Sequence, residues 1–195
     1  MKPLALPAAP LLGDIGFIET SEEEQTSAEE KQWNAPDAEL KMKLFISYAQ
    51  VNEKELLPFR QNLTHLSQQG YIQVWQDRDL LSGEKWEAGS RDALNHADIV
   101  LLFYTTAARI SKFIQETELP IMLERSDNNQ CTVLWVPLER NDLNASHPLE
   151  SRLKDIQCAT QDAMQIYDFE IVQKGWLEVE QAIRKAVETR RKLRK

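Results

Sequence analysis

The 195-residue chain lacks several features that mark common functional classes. It has no run of the ~20 apolar residues that span a bilayer. It also has no Walker loop, no GxGxxG fingerprint, no GxSxG elbow and no zinc-ligand cluster. The three histidines, His65, His96 and His147, stand apart among polar neighbours, which leaves histidine-based acid–base chemistry without support. The two cysteines, Cys131 and Cys158, have neither metal-ligand nor redox spacing, so we expect buried free thiols.

The apolar N-terminus lacks the unbroken helix that a signal peptide requires. Pro3, Pro7 and Pro10 interrupt it, and proline disrupts a helix interior. Free thiols are typical of a reducing compartment. The two observations together favour a cytoplasmic protein without a membrane partner.

The charge of the chain is unevenly distributed. Residues 1–40 carry nine acids against two lysines, a net charge of −7, and show neither strand nor helix periodicity. We expect them to form a disordered tail or linker. The last twelve residues carry seven bases against one acid, which we interpret as the solvated end of a helix. The acidic total and the lack of interleaved aromatic residues disfavour nucleic-acid binding there.

Beyond residue 40, short β-rich runs alternate with apolar residues at helical spacing. The predicted strands are 44–48, 72–75, 98–104 and 131–138, with a weaker fifth at Met164–Tyr167. A closing amphipathic helix is indicated by Trp176, Val179, Ile183 and Val187. Strands that alternate with helices predict a flavodoxin-like three-layer α/β sandwich, with a five-stranded parallel sheet and helices on both faces. The expected domain spans 41–190, followed by a basic end at 191–195.

A sheet of this kind also predicts where a ligand binds. The crevice of a doubly wound sheet lies beyond the carboxyl ends of the strands, at the switch point between the first and the third. The loops there are about 49–55 and 105–112, and they contain few aromatic residues to enclose a base or a nicotinamide ring.

Four segments stand out by their order and spacing: LFISY at 44–48, WQDRDLLSGEKW at 75–86, ADIVLL at 97–102 and ELPIMLER at 118–125. They resemble signatures of the TIR domain family in its bacterial form. The first is similar to a strand that ends in Ser-Tyr or Ser-Phe, and the second to the acidic, glycine-containing BB loop. The third is similar to the central strand of the family, and the fourth to the segment that holds its glutamate.

The resemblance implies that Glu118 is catalytic and that the chain cleaves the nicotinamide–ribose bond of NAD⁺. NAD⁺ would be a substrate, no cofactor or metal is implied, and the product would be ADP-ribose or a cyclic ADP-ribose. A fixed carboxylate beside the ribose would stabilise an oxocarbenium-like charge. Glu118 adjoins the apolar positions Ile114 and Ile121, and Pro120 suggests that a helix starts or kinks there. The alternatives are Glu116, if the alignment shifts by two residues, or an ordinary surface glutamate.

The resemblance also implies substrate-binding residues: Ser47, Tyr48, Asp77, Arg78, Gly83, Trp86, Phe113 and Ile114. Simpler roles are an ion pair with a neighbouring aspartate for Arg78, a turn for Gly83 and a helix anchor for Trp86. The chain departs from the family pattern at Ile114, where many TIR enzymes have Trp, and after the Ser-Tyr signature, where Glu53 is the nearest acid.

Resemblance to bacterial TIR proteins further implies a role in innate immunity against phage. It implies self-association through the BB loop, Asp77 to Lys85, in a head-to-tail contact that can extend into a filament. A separate sensor protein is a second expected partner. The competing hypothesis is a non-enzymatic TIR scaffold that acts through homotypic contacts, which Ile114 in place of Trp favours. A receiver-like domain would require clustered aspartates at strand ends, where this chain has Ser47 and Tyr48.

Overall fold

The computed structural model of the protein describes residues 41–75, 84–139 and 148–194. The predicted tail at 1–40 lies outside the described residues, and so do Asp77, Arg78 and Gly83. In the described part, the strands and helices follow in the order β1 (Met42–Ser47), α1 (Leu57–Gln68), β2 (Ile72–Val74), α2 (Glu84–His96), β3 (Ile99–Tyr104), α3 (Thr106–Ile110), a π-helical turn (Ile114–Glu118), α4 (Leu119–Asp127), β4 (Thr132–Pro137), α5 (Pro148–Leu153) and α6 (Val172–Leu193).

The four strands form one parallel sheet in the order β2-β1-β3-β4. In this sheet Leu44 of β1 lies between Val74 of β2 and Ile99 of β3. All six residues of β3 are buried, as expected for a parallel strand that is covered on both faces. The predicted α/β fold with a parallel sheet is therefore confirmed. The order also places the switch point at the carboxyl ends of β1 and β3.

The predicted fifth strand, Met164–Tyr167, is wrong, because the sheet of the described residues has four strands. After β4, the described residues add only an isolated parallel bridge, between Trp135 and Cys158. Met164 and Gln165 instead connect two short 3-10 turns, Gln161–Ala163 and Ile166–Asp168, and the second turn contains the rest of the predicted strand.

Two contacts explain why this segment turns. The Thr160 hydroxyl donates to the Met164 carbonyl at 2.7 Å, which closes the chain on itself four residues later. Ile166 is fully buried in the same apolar cluster as Val179 and Ile183 of α6. The apolar residue that suggested a strand is thus buried by packing against a helix, without pairing to the sheet.

The sheet separates two apolar cores. Met42 and Leu44 pack on one face with residues of α1 and α6, whereas Phe45 packs on the other face with residues of α2 and α4. Side chains alternate along a strand, so Ser47 belongs to the same face as Phe45. The Ser47 hydroxyl therefore lies on the side of the sheet that α2 and α4 cover.

Arginines of α6 bind backbone groups of other elements. Arg190 is buried and donates from Nη1 to the Asn129 carbonyl and from Nη2 to the Gln130 carbonyl, each at 2.7 Å. Arg191 lies over the Tyr71 ring, 5.5 Å from its centroid. The interpretation of this end as merely solvated is wrong for these two residues. Arginine buries its aliphatic stem while its guanidinium finds acceptors, which apolar periodicity does not register.

Asp98 joins the amino ends of the strands to the same helix. Its carboxylate accepts the Lys43 backbone N–H at 2.8 Å and forms an ion pair with Arg194. Asp98 is buried, so this charge is stabilised by hydrogen bonds that replace water. The end of the sheet opposite the predicted crevice is thus held by polar contacts.

Neither thiol is suited to act as a nucleophile. Cys131 is buried and Cys158 is half-buried, and both are free. Burial raises the pKa of both thiols, so the reactive thiolate is scarce at neutral pH. The expectation of buried free thiols is confirmed for Cys131 and holds in part for Cys158. None of the helices in the described ranges is long and apolar enough to cross a membrane.

Arg190→Met should lower the free energy of unfolding by about 2 kcal/mol, because two carbonyls lose a charged donor while the apolar stem is kept. Lys192→Met, at an exposed position of the same helix, is the matched control and should change it by less than about 0.5 kcal/mol. Urea unfolding followed by circular dichroism measures both. Equal effects of the two substitutions would contradict the structural role of Arg190.

Candidate functional site

Glu118 is buried at the junction of the π-helical turn and α4, with its residue surface 4% exposed. The Ser47 hydroxyl donates to Oε2 at 2.6 Å, and the Ser90 hydroxyl of α2 donates to Oε1 at 3.0 Å. Three elements that are distant in sequence therefore meet at one carboxylate. Two hydroxyl donors complement an ionised carboxylate, which only accepts hydrogen bonds. The burial excludes the ordinary surface position considered for Glu118, whereas the alternative Glu116 is exposed.

The π-helical turn explains how Glu118 reaches this position. Within it, the Leu119 N–H donates to the Ile114 carbonyl five residues earlier, in place of the usual four. Pro120 follows in the first turn of α4 and has no N–H for the Glu116 carbonyl, which favours a wider turn. Relative to a regular α-helix, one inserted residue rotates the neighbouring side chains by about 100° about the helix axis. The expected start or kink of a helix at Pro120 is confirmed.

A cleft of about 750 Å³ opens beside Glu118. It follows the carboxyl ends of β1 and β2 and lies against α1, α2 and the π-helical turn. Its described lining is Phe45, Ile46, Tyr48, Ala49, Gln50, Glu53, Arg60, Leu63, Thr64, Ser67, Gln68, Gln73, Val74, Trp75, Trp86, Ser90, Ser111, Phe113, Ile114 and Glu118. A volume of this size is within the usual range of cofactor-sized sites.

The structure brings together Glu118 and four of the predicted substrate-binding residues. Tyr48, Trp86, Phe113 and Ile114 all line the cleft with it. The rings of Trp86 and Phe113 are 4.8 Å apart between centroids, so α2 and the approach to the π-helical turn contribute one aromatic pair. The simpler role of Trp86 as a helix anchor is compatible with this contact.

The other predicted residues are placed differently. Ser47 is buried and does not line the cleft, and its hydroxyl is bonded to Glu118. Asp77, Arg78 and Gly83 lie outside the described residues. Their roles in binding a substrate stay predictions.

A second aromatic pair borders the cleft. Phe45 and Trp75 stack with 5.3 Å between their ring centroids, and both line the cleft. The two crevice loops are indeed poor in aromatic residues, but strands and helices supply the rings that the loops lack. The loop sequences alone do not reveal these rings, because Phe45 lies within β1 and Trp75 directly follows β2.

Ser90 and Arg60 are two site residues that the sequence did not single out. Ser90 occurs among small and apolar residues on the inner face of α2, so it resembled a packing residue. Arg60 is the one cationic residue in the described lining of the cleft. Its Nη2 donates to the Tyr48 hydroxyl at 3.0 Å and lies 3.5 Å from Oε1 of Glu53. The Arg60–Glu53 pair is partly exposed and so contributes little stability, which leaves the guanidinium free to exchange partners.

The described residues contain no group of three or more His, Cys, Asp or Glu that is arranged to hold a metal ion. The described cleft offers the chemistry of a buried carboxylate. It is combined with two hydroxyls, a guanidinium and aromatic walls.

Comparison with known proteins gives a family match. A family model described as TIR domain matches residues 44–174. An uncharacterized protein of Sinorhizobium fredii, y4lF, is 24% identical over 143 residues, which are 73% of this chain and 43% of that protein. The chain thus spans less than half the length of this relative.

A solved structure of TIR domains is also similar. It is the activated Roq1 resistosome directly recognizing the pathogen effector XopQ. The match has a TM-score of 0.40 at 13% identity, and it covers 76% of this chain and 84% of that one.

Pro120→Ala should move Glu118 out of its buried position, because the new N–H at 120 permits a regular α-helical bond to the Glu116 carbonyl. Carbodiimide labelling of carboxyl groups, read by mass spectrometry, measures this. Glu118 should be protected in the wild type and labelled at least about threefold faster in the variant. Lys112→Ala, at an exposed position before the same turn, should leave the labelling unchanged. Equal protection in all three proteins would show that Pro120 does not set the position of Glu118.

Proposed function

The chain belongs to the TIR domain family, and from this premise we propose that it is an NAD⁺ glycohydrolase with Glu118 as its catalytic carboxylate. The observation that carries the proposal is the buried Glu118 carboxylate, fixed by Ser47 and Ser90, at the wall of a cleft of about 750 Å³. Such a cleft is large enough for a dinucleotide.

The chemistry requires little beyond a well-placed negative charge. When the bond between the ribose carbon and the nicotinamide nitrogen breaks, its electron pair neutralises the cationic ring, so the leaving group needs no proton. Positive charge develops on the ribose, as in glycoside hydrolysis. A fixed carboxylate stabilises that charge, more strongly in a site from which water is excluded. Water then bonds to the ribose carbon and loses a proton, which gives ADP-ribose; capture by an adenine nitrogen instead would give a cyclic product.

The walls of the cleft support this substrate. The aromatic pair of Trp86 and Phe113 offers a face on which a cationic nicotinamide ring can stack. Arg60 offers N–H donors to a pyrophosphate, for which guanidinium groups are well suited. The lining thus provides the Glu118 carboxylate for the ribose, which becomes cationic, and the Arg60 guanidinium for the pyrophosphate, which is anionic.

A second candidate function is a non-enzymatic scaffold that binds other TIR domains. Two observations favour it. Both oxygens of Glu118 accept hydrogen bonds from protein hydroxyls, as in a purely structural clamp. Ile114, which is buried in the apolar core at the cleft wall, also supplies no ring to stack on a base. The scaffold predicts that replacing the Glu118 charge affects stability alone.

Glu118→Gln tests the two functions directly. The amide keeps the shape of the side chain and one acceptor oxygen, so the fold should be retained and the thermal midpoint should fall by only a few degrees. The rate of nicotinamide release should fall at least about 100-fold, because the charge that stabilises the transition state is lost. Release is measured by chromatography after incubation of concentrated protein with NAD⁺.

The matched control is Glu116→Gln, an exposed neighbour in the same turn, which should keep the wild-type rate. Full turnover by folded Glu118→Gln would refute the assignment of the catalytic residue. A wild-type chain that binds copies of itself but releases no nicotinamide would support the scaffold.

We further propose that the activity depends on self-association, with the segment Asp77 to Lys85 at the contact, in a bacterial immune effector controlled by a separate sensor. The lining of the cleft includes Gln73 and Val74 of β2, an edge strand of the four-stranded sheet that the described residues form, and the segment Asp77 to Lys85 follows this strand closely in the sequence. The specific activity should therefore rise steeply with protein concentration, and Gly83→Pro, which restricts that segment, should reduce both assembly and turnover. Light scattering and nicotinamide release on the same samples measure this; an active monomer with constant specific activity would contradict it.

A further inference from the structure

The two serines that bind Glu118 are not equivalent. Ser90 and Glu118 both line the cleft, whereas Ser47 does not. Ser47 therefore holds the carboxylate from the side of the sheet, and Ser90 holds it on the side that a substrate would approach. The Ser47 hydroxyl lies closer to its acceptor than the Ser90 hydroxyl does, at 2.6 Å against 3.0 Å. Short hydrogen bonds to a charged acceptor are the stronger ones.

The elements that carry the two serines differ as well. Ser47 is the last residue of β1, which pairs with strands on both sides and is fixed by the core. Ser90 is buried on α2 and lines the cleft, one turn after Trp86, which is itself part of the lining. A serine hydroxyl in a helix can rotate about a single bond, and it has a backbone carbonyl one turn earlier as an alternative acceptor.

We propose that Ser47 is a positioning residue that keeps Oε2 of Glu118 throughout the reaction, and that Ser90 yields Oε1 to a hydroxyl of the substrate's ribose. This division of roles rests on the proposed NAD⁺ glycohydrolase function. In the free protein, the Ser90 hydroxyl donates to Oε1 of Glu118 and satisfies it. On binding, the ribose hydroxyl takes the place of the Ser90 hydroxyl, so the number of hydrogen bonds to the carboxylate is conserved.

Opposite kinetic effects follow from this arrangement. Without the Ser47 hydroxyl, Oε2 loses its fixed donor and the carboxylate is less well oriented in the transition state, so kcat should fall. Without the Ser90 hydroxyl, the substrate no longer competes with a protein group for Oε1, so KM should fall. A water that replaces the Ser90 hydroxyl is displaced more easily, because it gains entropy on release.

The experiment measures initial rates of nicotinamide release against NAD⁺ concentration for the full chain, at a protein concentration where the wild type is active. Ser47→Ala should lower kcat at least about tenfold. Ser47→Thr, which keeps the hydroxyl and suits a strand, should recover most of that loss. Ser90→Ala should raise kcat/KM about threefold through a lower KM.

Substrate analogues test the exchange itself. NAD⁺ that lacks either the 2′- or the 3′-hydroxyl of the nicotinamide ribose removes one of the two candidate competitors for Oε1. With one of these analogues, the gain in kcat/KM of Ser90→Ala over the wild type should disappear, which also identifies the hydroxyl. A gain that persists with both analogues would overturn the proposal, because the competitor would then not be a ribose hydroxyl.

The proposal is also overturned if folded Ser90→Ala loses kcat as Ser47→Ala does, since the serines would then act alike. That result would leave the glycohydrolase function intact, whereas a wild type without turnover would refute the function itself. Circular dichroism and thermal unfolding establish that each variant is folded. Where an alanine variant fails to fold, the cysteine variant carries the same test, because its thiol fills the space and is a weak donor.

Discussion

The structure depends on one interaction, the hydrogen bonding of a buried carboxylate by two hydroxyls from separate elements. Glu118 is removed from water, and a buried charge is tolerated only where hydrogen bonds replace its hydration. Its donors, Ser47 and Ser90, come from the end of β1 and from α2. These hydrogen bonds form only if β1, α2 and the wide turn before Pro120 together place the three side chains within hydrogen-bonding distance.

The two ends of the sheet differ in what their side chains contact. At the amino ends of the strands, Asp98 ties Lys43 to Arg194, and Arg190 binds the turn before β4, so side chains are committed to protein partners. At the carboxyl ends lies a cleft, with Glu118 in its wall. A ligand site beyond the carboxyl ends of parallel strands is the general rule for doubly wound sheets. Here Ser47, the last residue of β1, donates to Glu118, which stands in the wall of the cleft.

The sequence predicted much of this fold and part of its site. The strands β3 and β4 were predicted because their apolar runs are buried on both faces, which leaves a strong pattern, whereas β1 and β2 were predicted from shorter runs of β-forming residues. The prediction of a strand at Met164–Tyr167 was wrong because the burial of Ile166 against α6 produces the same short apolar pattern that a strand produces. Glu118 was found through the family resemblance and Pro120. Ser90 was missed because a small residue on a buried helix face resembles packing until its partner, 28 residues away in sequence, is placed beside it.

The central claim is that the charge held by the two serines acts on a bound dinucleotide. The most direct measurement follows NAD⁺ by proton NMR in the presence of the concentrated wild-type chain and, separately, of the folded Glu118→Gln variant. We expect free nicotinamide and an ADP-ribose product to appear in the first sample and NAD⁺ to persist in the second. Equal loss of NAD⁺ in both samples, or unchanged NAD⁺ in a self-associated wild type, would contradict it.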